Sequence, residues 1–108
     1  MVKQGDIIKL DFSPTSGHEQ SGYRPAVVVS NDFAITKTNV VYVAPITSTA
    51  RHFPLHVRLD DRTETKGEIL CEQVKAVDLN ARRFTLVEHL PNDIIERVLT
   101  CVIGCFDA

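Results

Sequence analysis

Apolar residues in this 108-residue chain change their spacing once, at Pro91, and that change limits its possible folds more than any other feature. Before it, apolar and polar residues alternate in short segments. After it, apolar residues fall at Ile94, Ile95, Val98, Leu99, Val102 and Ile103. A period of two marks half-buried strands, and a period near 3.6 marks one stripe of an amphipathic helix. The spacing predicts many short antiparallel strands and one C-terminal helix, a mainly β fold of the α+β class built as a small, strongly bent sheet or barrel. Pro91 and Asn92 open the expected helix, Asp93 favours its first turn, and Gly104 can end it. The length allows one domain, residues 1–108.

The strands are read from the same alternation. Ile8, Leu10 and Phe12 mark the first, within residues 5–12. Ser13 to Gly22 is turn chemistry throughout and longer than a tight hairpin needs, the kind of loop that tends to carry function. Arg24-Pro25-Ala26-Val27-Val28-Val29-Ser30 reads as a strand buried on both faces, with Pro25 near its start, where a missing N–H is tolerated. Asn31 can cap a helical turn over residues 32–35. Further strands are expected over 40–46 and 55–59, one or two within 68–77, and a short one over 84–90.

No apolar run approaches the ~18 residues of a membrane span, and the N-terminus lacks the blocks of a signal peptide, so a cytoplasmic protein is expected. Cys71, Cys101 and Cys105 are an odd count without an export signal, which suggests reduced thiols. A zinc site would need more ligands at metal-like spacing than His89 supplies, so neither metal nor cofactor is expected. The formal net charge of −2 argues against a broadly basic nucleic-acid surface. It leaves room for a local groove if Arg24, Arg51, Arg58, Lys75, Arg82 and Arg83 converge.

Three segments carry residues able to do chemistry. One is Gly17-His18-Glu19-Gln20-Ser21-Gly22-Tyr23-Arg24-Pro25, the polar loop entering a strand through Arg-Pro. The second is Pro45-Ile46-Thr47-Ser48-Thr49, a hydroxyl-rich exit from an apolar strand. The third is Cys71-Glu72-Gln73-Val74-Lys75, polar residues in a strand-like context. Each alone is as well explained by turn formation or an exposed face. Together, with Gly5-Asp6-Ile7 and Asp11-Phe12-Ser13-Pro14-Thr15 before them, they resemble the MazF/PemK endoribonuclease toxins over nearly the whole chain.

The resemblance implies an SH3-like small antiparallel β-barrel with a C-terminal α-helix, acting as a homodimer. It implies metal-independent cleavage of single-stranded RNA at short sequences, leaving 2′,3′-cyclic phosphate and 5′-hydroxyl ends, and an antitoxin protein that blocks the RNA groove. The family's key arginine maps onto Arg24, its key threonine onto Thr47 and its loop glutamate onto Glu19. Arg24 suits stabilisation of phosphoryl charge, and Thr47 can donate its hydroxyl to a phosphoryl oxygen. Glu19 or His18 can take the 2′-hydroxyl proton, and the two are not separated. Gln20, Tyr23, Ser48, Arg51, His52, Phe53, Glu72, Gln73 and Lys75 are candidate RNA contacts, with Tyr23, His52 and Phe53 able to stack on bases. One departure stands out. The PemK-like branch has a catalytic Arg and Asp where this chain has Leu70 and Glu72, so that pair is not carried over. Glu72 remains as either a base or a contact. A competing reading is a non-enzymatic poison of the same fold that binds a protein such as DNA gyrase. Such toxins depend on a Trp near the end of the helix, and this chain has no Trp.

Overall fold

The first strand, β1 (Asp6–Asp11), sits between two antiparallel partners. One is β2 (Tyr23–Val28), with Ile7 opposite Val27 and Leu10 opposite Arg24. The other is β7 (Phe84–His89), whose register shifts between Ile7 and Ile8. These elements come from a computed structural model that describes residues 1–12, 22–49 and 53–107. β2 leads through helix α1 (Asp32–Thr38) into β3 (Val40–Thr47), which returns antiparallel with Ala26 opposite Pro45. Asn31 does cap α1, its side chain accepting from the Ala34 N–H at 2.9 Å. The helix runs past residue 35 to Thr38 and closes on Asn39 in the left-handed region (φ 59°).

The far edge of β3 serves two partners. β5 (Glu68–Leu70) pairs with its end, Ile69 opposite Ile46 and Glu68 opposite Thr47. β6 (Lys75–Asp78) pairs with its start, Lys75 opposite Val43. From Ile69 to Lys75 the chain advances twice as far as β3 does from Ile46 to Val43. A 3-10 turn, Cys71–Gln73, takes up the excess. The segment 68–77 therefore holds two strands, and Cys71-Glu72-Gln73 is not strand. β4 (His56–Arg58) completes the sheet by pairing with β5, Val57 opposite Ile69.

Alternation sorts these strands into two cores. Ile8, Leu10, Phe12, Ala26, Val28, Val41, Val43 and Val77 line one face, closed by Ile35 of α1 and by Val2. Ile7, Val27, Ala44, Ile46, Val57, Ile69 and Leu90 line the other, together with Cys71 and with Ile94 and Val98 of α2 (Asn92–Gly104). β2 and β3 are thus buried on both sides, as their β-branched sequences require. α2 begins after Pro91, whose carbonyl accepts from Ile94 N–H at 3.0 Å, and its last helical residue is Gly104. It is too short to cross a membrane, as is every helix among the described residues.

The strand path ends at β4 on one side and β7 on the other, so the sheet is bent but not closed. Side chains bridge the two ends. The segment between β4 and β5 reaches β7 through the Glu88 carboxylate, which accepts from Glu64 N–H at 3.1 Å, Thr65 N–H at 2.8 Å and the Thr65 hydroxyl at 2.8 Å. It reaches α2 through Arg62, which holds Asp60 and both oxygens of Asp93. The Arg62 guanidinium holds the Asp60 carboxyl down to about 2. The three cysteines are free thiols, and burial pushes the Cys71 thiol well above its ordinary range.

Candidate active site

Arg24 and Thr47 lie on the same face of neighbouring strands. Arg24 is exposed on β2 opposite Leu10, whose side chain belongs to the α1-covered core. Thr47 is the last residue of β3 and is half-buried. The β2–β3 register, continued two residues beyond the Ala26–Pro45 pair, sets Arg24 and Thr47 at facing positions. Thr47 Oγ1 accepts from the Thr49 N–H at 3.2 Å. That bond fixes the oxygen and leaves the hydroxyl proton to be donated elsewhere.

The approach of β5 to this corner depends on Gly67. Its φ of +125° lies outside what L side chains readily adopt, and a Cβ there would run into the Thr47 carbonyl. Glu68 follows, opposite Thr47 in one direction and Arg58 in the other. Its carboxylate is buried, with 3% of the side chain exposed. It accepts from His56 Nδ1 at 3.0 Å and from Arg58 Nη2 at 3.5 Å. The other ring nitrogen of His56, Nε2, lies 3.1 Å from Glu72 Oε2 on the 3-10 turn. A chain of contacts thus runs from the Thr47 corner through Glu68 and His56 to Glu72. Phe53 packs its ring 5.1 Å from that of His56, tilted by 58°, and stays half exposed.

Lys75 Nζ sits 5.2 Å over the ring of buried Phe12, which belongs to the same core cluster as Leu10 opposite Arg24, a cation–π contact. The Phe12 N–H donates to the Gly22 carbonyl at 2.9 Å, so the chain leaves and re-enters the sheet at one point. The structure therefore turns Arg24, Thr47 and Lys75 to one sheet face and ties Glu72 to Glu68, the register partner of Thr47, through His56, with Ser48 and Gln73 adjacent in sequence and Phe53 against His56. Tyr23 is placed apart. It alternates with Arg24 and so faces the opposite side of β2, where its hydroxyl lies 2.6 Å from Thr85 Oγ1. Arg82 donates to the Asp11 carbonyl at 2.9 Å. His18, Glu19, Gln20, Arg51 and His52 lie outside the described residues. Among those described, no group of three or more His, Cys, Asp or Glu side chains is placed to hold a metal.

Two residues of this corner, His56 and Glu68, escape sequence reasoning. The one available signal is that His56 and Arg58 share a strand face. Which carboxylate they meet depends on the β4–β5 register, which alternation alone does not specify.

Comparison with known proteins fits this architecture. Residues 3–106 match the family of PemK-like, MazF-like toxins of type II toxin–antitoxin systems. The chain is 41% identical over 81 residues to the endoribonuclease toxin MazF of Escherichia coli (strain K12), covering 75% of this chain and 72% of that one. It is 33% identical over 103 residues to the endoribonuclease EndoA of Bacillus subtilis (strain 168), covering 91% and 88%. Its fold superposes on the crystal structure of MazF from Deinococcus radiodurans with a TM-score of 0.87 at 29% identity, covering 95% and 94% of the two chains.

Proposed function

The chain belongs to the PemK-like, MazF-like toxins of type II toxin–antitoxin systems, and from that premise we propose that it cuts single-stranded RNA with Arg24 and Thr47 at the centre of its site. It is an endoribonuclease, like the curated relatives it matches. The observation that carries the reading is the pairing of a permanent cation with a hydroxyl whose oxygen is already fixed, at facing positions on one sheet face.

The chemistry follows from those groups. Attack of a ribose 2′-hydroxyl on the adjacent phosphorus must be in line, and negative charge builds on the phosphoryl oxygens as it proceeds. The Arg24 guanidinium offers a planar fork of donors that fits two of those oxygens. Thr47 donates its hydroxyl to one of them. Fixed in advance, such donors need no reorganisation as the charge develops. Glu19 or His18, in the sequence between β1 and β2, takes the 2′-hydroxyl proton. As the P–O5′ bond breaks, the departing O5′ takes a proton from water or from the newly protonated base, leaving a 2′,3′-cyclic phosphate and a 5′-hydroxyl. Ser48, Phe53, Glu72, Gln73 and Lys75 are RNA contacts, and so are Gln20, Arg51 and His52. Tyr23 contacts RNA that passes over the edge by Thr85. The active form is a homodimer in the cytoplasm, and a cognate antitoxin covers the RNA groove.

The test is incubation of the purified protein with a defined library of single-stranded RNAs in EDTA, followed by sequencing of the fragment ends. Fragments with 5′-hydroxyl ends and one shared short motif are expected. Intact RNA from folded, antitoxin-free protein would overturn the reading, and DNA breaks in its place would point to a gyrase-binding poison.

A further inference from the structure

His56 is a buried histidine between two carboxylates, and the cleavage chemistry above gives it no task. Resting on the ribonuclease reading, we propose that Glu72 reads one base of the cut site through that base's exocyclic amino group. His56, anchored by Glu68, is the positioning residue that aims the Glu72 carboxylate.

Glu68 is the buried end of this chain of contacts. A carboxylate with 3% of its side chain exposed is tolerated only where donors replace its lost water. His56 and Arg58 are those donors. The His56 side chain is itself 7% exposed, and its two ring nitrogens are committed to different carboxylates. The ring cannot turn without giving up both contacts, so its Nε2 is a fixed point. Glu72 hangs on that point by Oε2 and keeps 29% of its side chain exposed. Only Oε2 of Glu72 is hydrogen-bonded among the described residues, so Oε1 is presented as an acceptor. Glu72 lies on a short 3-10 turn, where backbone alone would hold the side chain loosely. The half-exposed Phe53 ring packs on the other side of His56.

A fixed acceptor beside a half-exposed aromatic ring is the minimal equipment for one splayed-out base, held by stacking and read along its edge. An ionised carboxylate accepts and cannot donate. Adenine, cytosine and guanine each offer an exocyclic amino group, whereas uracil carries only carbonyl oxygens outside its ring, which repel a carboxylate, and keeps its one donor on ring N3. The pocket therefore selects against uracil at one position of the cut sequence. Arg24 and Thr47, which act on the phosphate, see no base.

The experiment is end-sequencing of a randomised single-stranded RNA pool cut by the wild-type protein, Glu72→Gln, His56→Gln and the double variant. The wild-type motif should disfavour uracil at one position by about tenfold or more, a usual size for one good base contact. Glu72→Gln, which puts a donor among the acceptors, should bring that position within about threefold of neutral while the other positions keep their preferences. His56→Gln should shift the same position, and the double variant should shift it no further than Glu72→Gln does. If His56→Gln fails to fold, His56→Leu with Glu68→Leu removes the buried charge together with its partner and must move the same position. A wild-type motif that accepts uracil everywhere would overturn the proposal. So would an unchanged motif in Glu72→Gln, an equal loss over all sequences, or His56 variants that fold and keep the wild-type motif. A wild-type protein that cuts no RNA defeats the ribonuclease reading itself, which the other outcomes leave standing.

Discussion

Thr47 serves two structural demands at once. Its hydroxyl oxygen closes a short turn by accepting from Thr49, and its backbone carbonyl lies against Gly67. The catalytic assignment uses only the hydroxyl proton, so the demands can be separated by mutation. Thr47→Val keeps the β-branched shape of a strand residue and should lower single-turnover cleavage of a fluorogenic RNA about 100-fold, the usual loss for one transition-state donor. Thr47→Ser should restore most of it. Equal loss in both variants would mean that the methyl group matters and not the hydroxyl. Arg24 and Thr47 were legible in the sequence because each sits in a contiguous block, Gly22-Tyr23-Arg24-Pro25 and Pro45-Ile46-Thr47-Ser48. Glu68 and His56 were not, because they meet through a strand register that neither residue's neighbours encode.

At the scale of elements, alternation located every strand to within a residue or two and failed at one place. Polar Glu72 and Gln73 fit an exposed strand end as well as a 3-10 turn, so spacing alone did not distinguish the two. The turn exists because β5 and β6 meet β3 in registers that differ by three residues, a tertiary fact. Gly67 marks where β5 begins. Gly67→Ala should destabilise the protein by at least about 1 kcal/mol in urea unfolding, since alanine is strained at positive φ and here also meets backbone. It should lower cleavage as well, because the displaced carbonyl is that of Thr47. The bridge from the β4–β5 segment to β7 gives a pH signature. Burial works against ionisation of Glu88, but hydrogen bonds from Thr65 and the Glu64 N–H prevail and hold its carboxyl below the ordinary 4.5. A group depressed in the folded state stabilises above its unfolded value, and that stability is lost as pH falls from about 4.5 through the depressed value. Glu88→Gln should therefore be less stable than wild type at pH 7 and lose less between pH 5 and 3. Parallel unfolding midpoints for the two proteins over that range would contradict the bridge.

For the molecule as a whole, a net charge of −2 and the proposed phosphate-binding site are compatible only if the cations are local. Binding of an RNA carrying a 2′-deoxy sugar at the cut position should weaken with salt. Lys75→Gln should reduce the slope of log K against log salt by about 0.7, one single-strand phosphate contact. An unchanged slope would confine Lys75 to its packing on Phe12. The sheet's openness could not be foreseen, because closure depends on whether β4 and β7 pair; the strand path leaves them at opposite ends, and Glu88 of β7 instead holds the segment between β4 and β5. The 3-10 turn Cys71–Gln73 sits between two strands that share one partner. Ladders to β3 clamp the chain on both sides of it, and of its three residues only Cys71 is buried in the core. Glu72 and Gln73 can therefore be exchanged without disturbing either ladder. On the proposed reading, the choice of target can be rewritten at these two positions while the shape of the scaffold is inherited unchanged.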